Sequence, residues 1–136
     1  MATKSARKIF VNLAVKDLQK SKEFFSKLGF EFNPKFTDDN AACMIVSGDA
    51  FVMLLKDSYF RTFTKREPCD ATRCTEGMYA LSAGSRAEVD DIVKKAIAAG
   101  GSRAMDPADH GFMYGWSFYD LDGHHWEVFW TDLSAA

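Results

Sequence analysis

The chain has 136 residues, of which 47% are hydrophobic and 26% charged, a composition typical of a single globular domain and not of a disordered segment. Its 17 Lys and Arg residues and 19 Asp and Glu residues leave a formal net charge of -2, which argues against a nucleic-acid partner. The apolar run at residues 9–15 is too short for a membrane span or a signal segment, and the three cysteines are interpreted as free thiols. We therefore expect a cytoplasmic protein without a membrane partner.

The first half of the chain predicts a strand, a helix and three short strands. Residues 9–15 alternate between an aliphatic and a mixed set of side chains, which is the period of a strand. Asp17 stands at a helix N-cap position, apolar residues then recur at helical spacing, and Gly29 supplies a C-cap. Further strands are predicted at residues 30–32, 42–47 and 51–55.

The same order recurs in the second half. A strand is predicted over residues 78–83, Ser85 and Glu88 form a capping box, and the helix that follows ends at Gly100 and Gly101. Later strands are predicted at residues 103–105, 114–119 and 126–130. The chain therefore predicts an α+β fold of two βαβββ modules, residues 9–55 and 78–130. Their mixed, mostly antiparallel sheets would surround a cleft, with the helices outside.

The segment at residues 56–77 joins the two modules and shows no clean period. A solvated tether, with or without a short helix, is one interpretation of it. A lid loop over the cleft is the other, because loops of this length without structure are uncommon and often functional.

Several motifs resemble one family over essentially the whole chain, so that residues 1–136 would form one domain of it. They are Val15-Lys-Asp-Leu-Gln-Lys-Ser21, Leu28-Gly-Phe30 and Asp120-Leu-Asp-Gly-His-His-Trp-Glu127. They are similar to motifs of the vicinal oxygen chelate superfamily, which includes glyoxalases, bleomycin-resistance proteins and extradiol dioxygenases. The resemblance is more specific for the fold than for an activity.

The resemblance also implies where a metal site would lie. Metal-dependent members bind one divalent ion with ligands from up to four strands, and the corresponding positions here are Phe10, Leu54, Met78 and Glu127. Only Glu127 carries an oxygen donor, whereas such sites need about three protein nitrogen or oxygen ligands. We therefore expect that the standard metal site is mostly lost and that no metal cofactor is needed.

Four polar residues remain as candidates for the site. Asn12 shares a strand face with Phe10, and Glu127 shares one with His125. Glu127 is the candidate catalytic residue, because a carboxylate would suit proton abstraction next to a carbonyl, and a structural salt bridge is its alternative role. His110 lies in a turn-rich stretch and is either a reachable acid, base or anchor or a plain surface histidine. His125 with Glu127 could also form half of a metal site.

Tyr114, Trp116 and Phe118 recur with the period of a strand and therefore share one face. If that face points inward, the three rings would make a stacking wall for a flat ligand, with Tyr114 and Trp116 as the candidate ligand contacts. If it points outward, the three rings are core beneath the second helix.

The leading hypothesis is a bleomycin-resistance-like protein that binds a small organic molecule in the cleft. Phe10, Leu54 and Met78 would form apolar walls around the polar candidates. One alternative is a lyase, isomerase or dioxygenase that uses a divalent metal with a non-standard ligand set, and another is a partner-binding module without catalysis. The resemblance further implies a homodimer.

Overall fold

The computed structural model describes residues 7–132, which form two compact units that divide after Pro68. Each unit contains one long helix and one mixed β-sheet. The α+β class is confirmed, and the first half has the predicted βαβββ order, whereas the second half contains one further two-residue strand, Ala108–Asp109, that the sequence did not predict. Among the described residues, no helix has the length and apolar character needed to cross a membrane.

The first unit is built on a four-stranded sheet with the order β1-β4-β3-β2. Strands β1 and β4 run parallel, and the other neighbours are antiparallel. Its elements are β1 (Ile9–Val15), α1 (Leu18–Lys27), β2 (Glu31–Phe32), β3 (Ala41–Ile45), β4 (Ala50–Lys56) and the short helix α2 (Asp57–Phe60), with single 3-10 turns at Pro34–Phe36 and Arg61–Phe63.

Helix α1 begins and ends where the sequence predicts. The Oδ1 atom of Asp17 accepts a hydrogen bond from the Lys20 amide at 3.0 Å. Gly29 has φ +103, and its amide donates to Ser26 O at 3.0 Å, which closes the last turn. Phe24 and Phe25 are buried on the face of the helix that packs on the sheet.

The second unit has a sheet with the order β5-β9-β8-β6, and β7 pairs with β8 as well. Strands β5 and β9 are parallel, whereas β8 is antiparallel to all of its neighbours. Its elements are β5 (Met78–Ser82), α3 (Arg86–Ala98), β6 (Ser102–Arg103), β7 (Ala108–Asp109), β8 (Met113–Tyr119) and β9 (His125–Thr131).

The side chains of β9 alternate between two different environments. Trp126 and Val128 are fully buried on the face beneath helix α3. His125, Glu127 and Phe129 point to the opposite, open face. This division follows from the period of the strand, and it determines which side chains a ligand on the open face could reach.

The segment before β5 packs against the turn that leads into β9. Gly123 in this turn has φ +89, and a Cβ atom there would lie 2.8 Å from the carbonyl oxygen of Ala71. The Nδ1 atom of buried His124 lies 3.1 Å from the Glu76 carboxylate, which also accepts a hydrogen bond from Tyr79 Oη at 2.6 Å. The turn and residues 71–76 are therefore fixed to one another.

Candidate functional site

The open face of the second unit carries a cavity of about 750 Å³. Its lining is mostly apolar and includes Met78, Met105 and Met113, of which Met78 is 66% exposed. Ala80 and Phe129 complete the apolar part of the wall. Methionine side chains are flexible and polarisable, so that such a wall can adapt to ligands of different shape.

A carboxylate and an imidazole lie side by side in this cavity. His125 Nε2 is in hydrogen-bond contact with Glu127 Oε2. Because an ionised carboxylate can only accept hydrogen bonds, the contact places a hydrogen on Nε2 of His125. The ring of Tyr119 meets the His125 ring edge to face at 5.5 Å, which further fixes the orientation of the imidazole. The pair is partly buried, since the side chain of Glu127 is 37% exposed.

His110 also lines the cavity, on a segment that Arg86 holds in place. The guanidinium of Arg86 donates to Asp109 Oδ2 and to Gly111 O, each at 2.6 Å. It also stacks over the rings of Tyr114 and Trp130. The hydrogen bond from Arg86, with a further one from the Gly111 amide, lowers the pKa of Asp109. Both neighbours of His110 in sequence are thus anchored to the start of helix α3.

Two small residues of β8 form the part of the cavity opposite Glu127 and Phe129. Ser117 pairs with Glu127 and Gly115 pairs with Phe129 across the ladder. The buried hydroxyl of Ser117 accepts a hydrogen bond from the Met105 amide at 2.9 Å, which positions the segment that carries Met105. A Cβ atom on Gly115 would meet only ordinary contacts, the nearest at 3.6 Å, so the absence of a side chain keeps this space open.

The charged groups around the cavity are mainly acidic. Glu127 and Asp106 are among its lining residues, together with His110 and His125, and among residues 7–132 no Lys or Arg lines it. Asp106 lies 3.5 Å from the guanidinium of Arg103, which itself stacks over Trp116. A carboxylate in an otherwise apolar cavity attracts a hydrogen-bond donor or a cation.

The inward stacking wall considered for Tyr114 and Trp116 is not formed. Tyr114 points toward helix α3 and its hydroxyl donates to Asp90 at 2.5 Å, a bond that raises the pKa of Tyr114 to about 12. Phe118 is fully buried and stacks on Trp126. The other interpretation is correct for both rings, because the strand places them on the helix-covered face.

Neither interpretation describes Trp116 completely. It belongs to the same strand face as Tyr114, yet it contributes to the lining of the cavity. Its Nε1 atom is buried and has no hydrogen-bond partner among the residues that the structure describes.

In the first unit, Phe10 and Asn12 lie on the open face of β1, as the alternation predicts. Phe10 is 44% exposed and stacks on Phe51 at 4.8 Å. The Asn12 amide donates to the carbonyl of Phe10 at 3.0 Å, and Asn12 lines a smaller cavity of about 320 Å³. Tyr59 and Phe63, from the segment after β4, line that cavity too, so part of the predicted linker is a wall of the first unit.

The placement of Leu54 at a ligand-contacting position is wrong. Leu54 is 0% exposed and pairs in register with buried Leu13, on the face beneath helix α1. Its neighbours Met53 and Leu55 line the cavity of the first unit instead. The error is one residue of register, which exchanges the two faces of a strand.

The donor atoms present do not match the metal site of metal-dependent superfamily members. Phe10 and Met78 lie on open faces of their sheets, as the resemblance implies, but neither side chain offers a nitrogen or oxygen atom to a metal ion. Glu127 and His125 provide two donors, and within residues 7–132 no group of three or more His, Cys, Asp or Glu side chains is arranged to hold a metal ion. A divalent ion with three protein ligands does not fit this set.

Sequence reasoning missed several cavity residues, namely Ala80, Met105, Asp106, Ala108, Met113, Gly115, Ser117 and Phe129. A signal for part of this set exists. Met113, Gly115 and Ser117 alternate with the rings of β8, so that assigning the rings to the helix side assigns these residues to the open face. Met105 and Asp106 lie in an irregular segment, which carries no period.

A sequence profile of the bleomycin resistance protein-like N-terminal domain matches residues 7–47 of the chain. A search of curated proteins gave no significant match. Among solved structures, hypothetical protein SA1046 from S. aureus is 31% identical, with 93% of this chain and 95% of that chain covered and a TM-score of 0.77.

Two further structures share the fold at lower identity. A glyoxalase/bleomycin resistance protein/dioxygenase family enzyme from Burkholderia phytofirmans is 15% identical, over 93% of this chain and 99% of that chain, with a TM-score of 0.75. The fosfomycin resistance protein FosX from Listeria monocytogenes is 20% identical, over 98% of both chains, with a TM-score of 0.63.

Proposed function

The chain belongs to the vicinal oxygen chelate superfamily, and from this membership we propose that it binds a small organic molecule on the open face of its second unit, without a divalent metal. The observation that carries the proposal is the cavity of about 750 Å³ with a Glu127–His125 pair among apolar side chains. The protein would work in the cytoplasm, a compartment in which free cysteines such as its three are usual.

The size and lining of the cavity support ligand binding over the alternative of a partner-binding module. Small-molecule pockets typically measure about 300 to 1,000 Å³ and combine an apolar wall with a few polar groups that orient the ligand. Here Met78, Met105 and Met113 provide an adaptable wall, while Glu127 and His125 provide the polar groups. A flat docking surface for a protein would need no such concavity.

The charge of the lining selects the class of ligand. Glu127 accepts a hydrogen bond from His125 through Oε2, and a carboxylate has capacity to accept more. Together with Asp106 it makes the cavity unfavourable for anions. The ligand we propose is therefore an apolar molecule with a cationic nitrogen or another strong hydrogen-bond donor.

The first test uses two apolar fluorescent probes of opposite charge. We expect rhodamine 6G, an aromatic cation, to bind more tightly than the anion 8-anilinonaphthalene-1-sulfonate, as measured by fluorescence anisotropy. Glu127→Gln should weaken rhodamine binding about tenfold, because a charge-assisted hydrogen bond contributes roughly 1.5 kcal/mol or more. Glu31→Gln, an exposed residue of the first unit, serves as the matched control and should change nothing.

The same titration distinguishes the proposal from its metal-dependent alternative. Rhodamine binding should be the same before and after dialysis against EDTA. Equal binding of both probes, or equal affinity of wild type and Glu127→Gln, would contradict the proposed ligand class. Binding that requires added Zn²⁺, Ni²⁺, Mn²⁺ or Fe²⁺ would support the alternative of a metal-dependent lyase or dioxygenase.

A second prediction concerns the space above Gly115. Gly115→Val should fill part of the cavity and reduce rhodamine affinity at least tenfold, whereas Gly115→Ala should have a smaller effect. Neither variant should be less stable than wild type, because a Cβ atom fits at 3.6 Å from its nearest neighbour and valine favours a strand. Thermal unfolding measures stability and anisotropy measures affinity. Unchanged affinity in Gly115→Val would place the binding site elsewhere.

A further inference from the structure

The segment from Cys69 to Cys74 forms a tight turn that brings two thiols together. The carbonyl of Asp70 accepts hydrogen bonds from the Arg73 amide at 3.0 Å and the Cys74 amide at 2.9 Å. The carboxylate of Asp70 accepts two more from Thr72, at 3.0 Å from the amide and 2.6 Å from the hydroxyl. The closed turn runs from Asp70 to Cys74, so that Cys69, the residue just before it, lies near Cys74.

Both thiols are exposed, and that of Cys69 lies against the backbone of Cys74. The Sγ atom of Cys69 lies 3.6 Å from the Cys74 carbonyl oxygen. Both residues are exposed, whereas Cys43 is fully buried in β3. The pKa of Cys69 is raised, first by desolvation and then by the charge and hydrogen bond of the neighbouring Cys74. The carboxylates of Glu76 and Asp70 raise it further.

We propose that Cys69 and Cys74 are a redox pair that a low-molecular-weight disulfide converts to an intramolecular disulfide. One thiolate attacks a sulfur of the small disulfide, which forms a mixed disulfide and releases one small thiol. The second protein thiolate then attacks the mixed disulfide at the protein sulfur and releases the second small thiol. Two protein thiols are oxidised and one small disulfide is reduced to two thiols, so that atoms and electrons balance.

The surroundings of the pair determine which oxidant is preferred and when it reacts. The carboxylates of Asp70 and Glu76 lie close to Cys69, which favours a cationic disulfide such as cystamine over anionic oxidised glutathione. Since the thiolate is the reacting form, the raised pKa of Cys69 makes oxidation faster at alkaline pH than at neutral pH. The buried thiol of Cys43 is shielded from both reagents.

The disulfide would also tighten a segment that is already attached to the candidate site. Residues 71–76 contact the Gly123 turn through Ala71 and the buried His124 through Glu76. His124 directly precedes His125, which lines the cavity. The redox pair is thus connected to the first residue of β9 by described contacts, although it lies outside the cavity lining.

The experiment treats the full chain with cystamine under native conditions, then with iodoacetamide, and measures its intact mass. The expected product has lost two hydrogens and carries no label at Cys69 or Cys74, and dithiothreitol reverses the change. Cys69→Ser and Cys74→Ser should each retain one cysteamine adduct instead, because the resolving thiol is missing. Tryptophan fluorescence checks that both variants are folded.

Three results would overturn the proposal. They are wild type that carries two cysteamine adducts at equilibrium, wild type that remains fully alkylated after treatment, and a disulfide that links two chains. The readout does not depend on ligand binding. Failure of the rhodamine test therefore leaves this result interpretable, and the reverse is also true.

Discussion

Replacing Gly123 with Ala is expected to destabilise the second unit by roughly 3 kcal/mol, since it adds steric overlap to backbone strain. Gly123 has φ +89, where a residue with a side chain is strained. The added Cβ would lie 2.8 Å from Ala71 O and 2.9 Å from Thr72 N. Both atoms belong to the backbone, so that relief requires the whole segment to move away from the turn.

Gly111→Ala is the matched control for this change. Gly111 also has a positive φ, +81, but a Cβ atom there meets nothing within 4 Å. Gly111→Ala should therefore lower the free energy of unfolding through backbone strain alone, by roughly 1 kcal/mol. The difference between the two variants isolates the contact between the turn and the segment that carries Cys69 and Cys74.

Urea unfolding followed by tryptophan fluorescence measures the effect on this unit alone. All three tryptophans of the chain, Trp116, Trp126 and Trp130, lie in the second unit. Equal destabilisation of Gly123→Ala and Gly111→Ala would show that residues 71 and 72 do not pack on the turn in solution.

Local signals allowed all strands except the short β7, and the ends of both long helices, to be predicted. Asp17 and Ser85 accept the expected capping hydrogen bonds, and Gly29 and Gly100 have positive φ at the helix ends. These features depend on residues close in sequence, which is why a single sequence reveals them. The parallel ladders of β1 with β4 and of β5 with β9 join residues far apart in sequence. Periodicity does not reveal such pairings.

The faces of the strands were harder to assign than the strands themselves. In β4 both faces are apolar, with Val52 and Leu54 on one and Met53 and Leu55 on the other, so hydropathy does not fix the register. In β8 the aromatic rings suggested a ligand wall, but large rings serve a helix-covered core equally well. In β9 the alternation of tryptophans with His125 and Glu127 made the assignment unambiguous.

The walls of the candidate cavity were only partly predictable. Met78, His110, Trp116, His125 and Glu127 line it, but their convergence depends on how the irregular segment 104–112 returns over the sheet. The two-residue strand β7 and the Arg86–Asp109 ion pair guide that return. Neither has a signature in the sequence, because a pair of residues carries no period and an ion pair between residues 23 positions apart carries no spacing rule.

Replacing Asp120 with Ala is the second change with a large expected effect, a loss of roughly 3 kcal/mol in the unfolding free energy of the second unit. Asp120 is buried and its carboxylate accepts three hydrogen bonds, from the amides of Asp122 and His124 and from Trp126 Nε1. Alanine leaves these donors without their acceptor in a buried turn. Asp106→Ala, at an exposed position, is the control and should have little effect.

The pH dependence of the Asp120 contribution has a definite sign. Desolvation raises the pKa of Asp120, an effect that the charge of His124 and the three hydrogen bonds oppose in part. In the window between the ordinary and the raised pKa the folded state binds more protons than the unfolded state. The stability that Asp120 contributes is therefore fully present below the ordinary carboxyl pKa and is lost as the pH rises through the raised one.

Asp120→Asn separates this charge effect from the loss of hydrogen bonds. The carbonyl of the asparagine can still accept hydrogen bonds from the Asp122 and His124 amides, whereas its NH₂ group faces Trp126 Nε1, which is also a donor. We therefore expect the free energy of unfolding to fall by roughly 1 kcal/mol at neutral pH. The difference in unfolding free energy between wild type and Asp120→Asn reports the titration of Asp120, together with that of His124, whose charge interacts with Asp120. That difference should be largest in acid and shrink toward neutral pH. A difference that grows with pH would mean that the fold favours the charged carboxylate, and that its hydrogen bonds outweigh its desolvation.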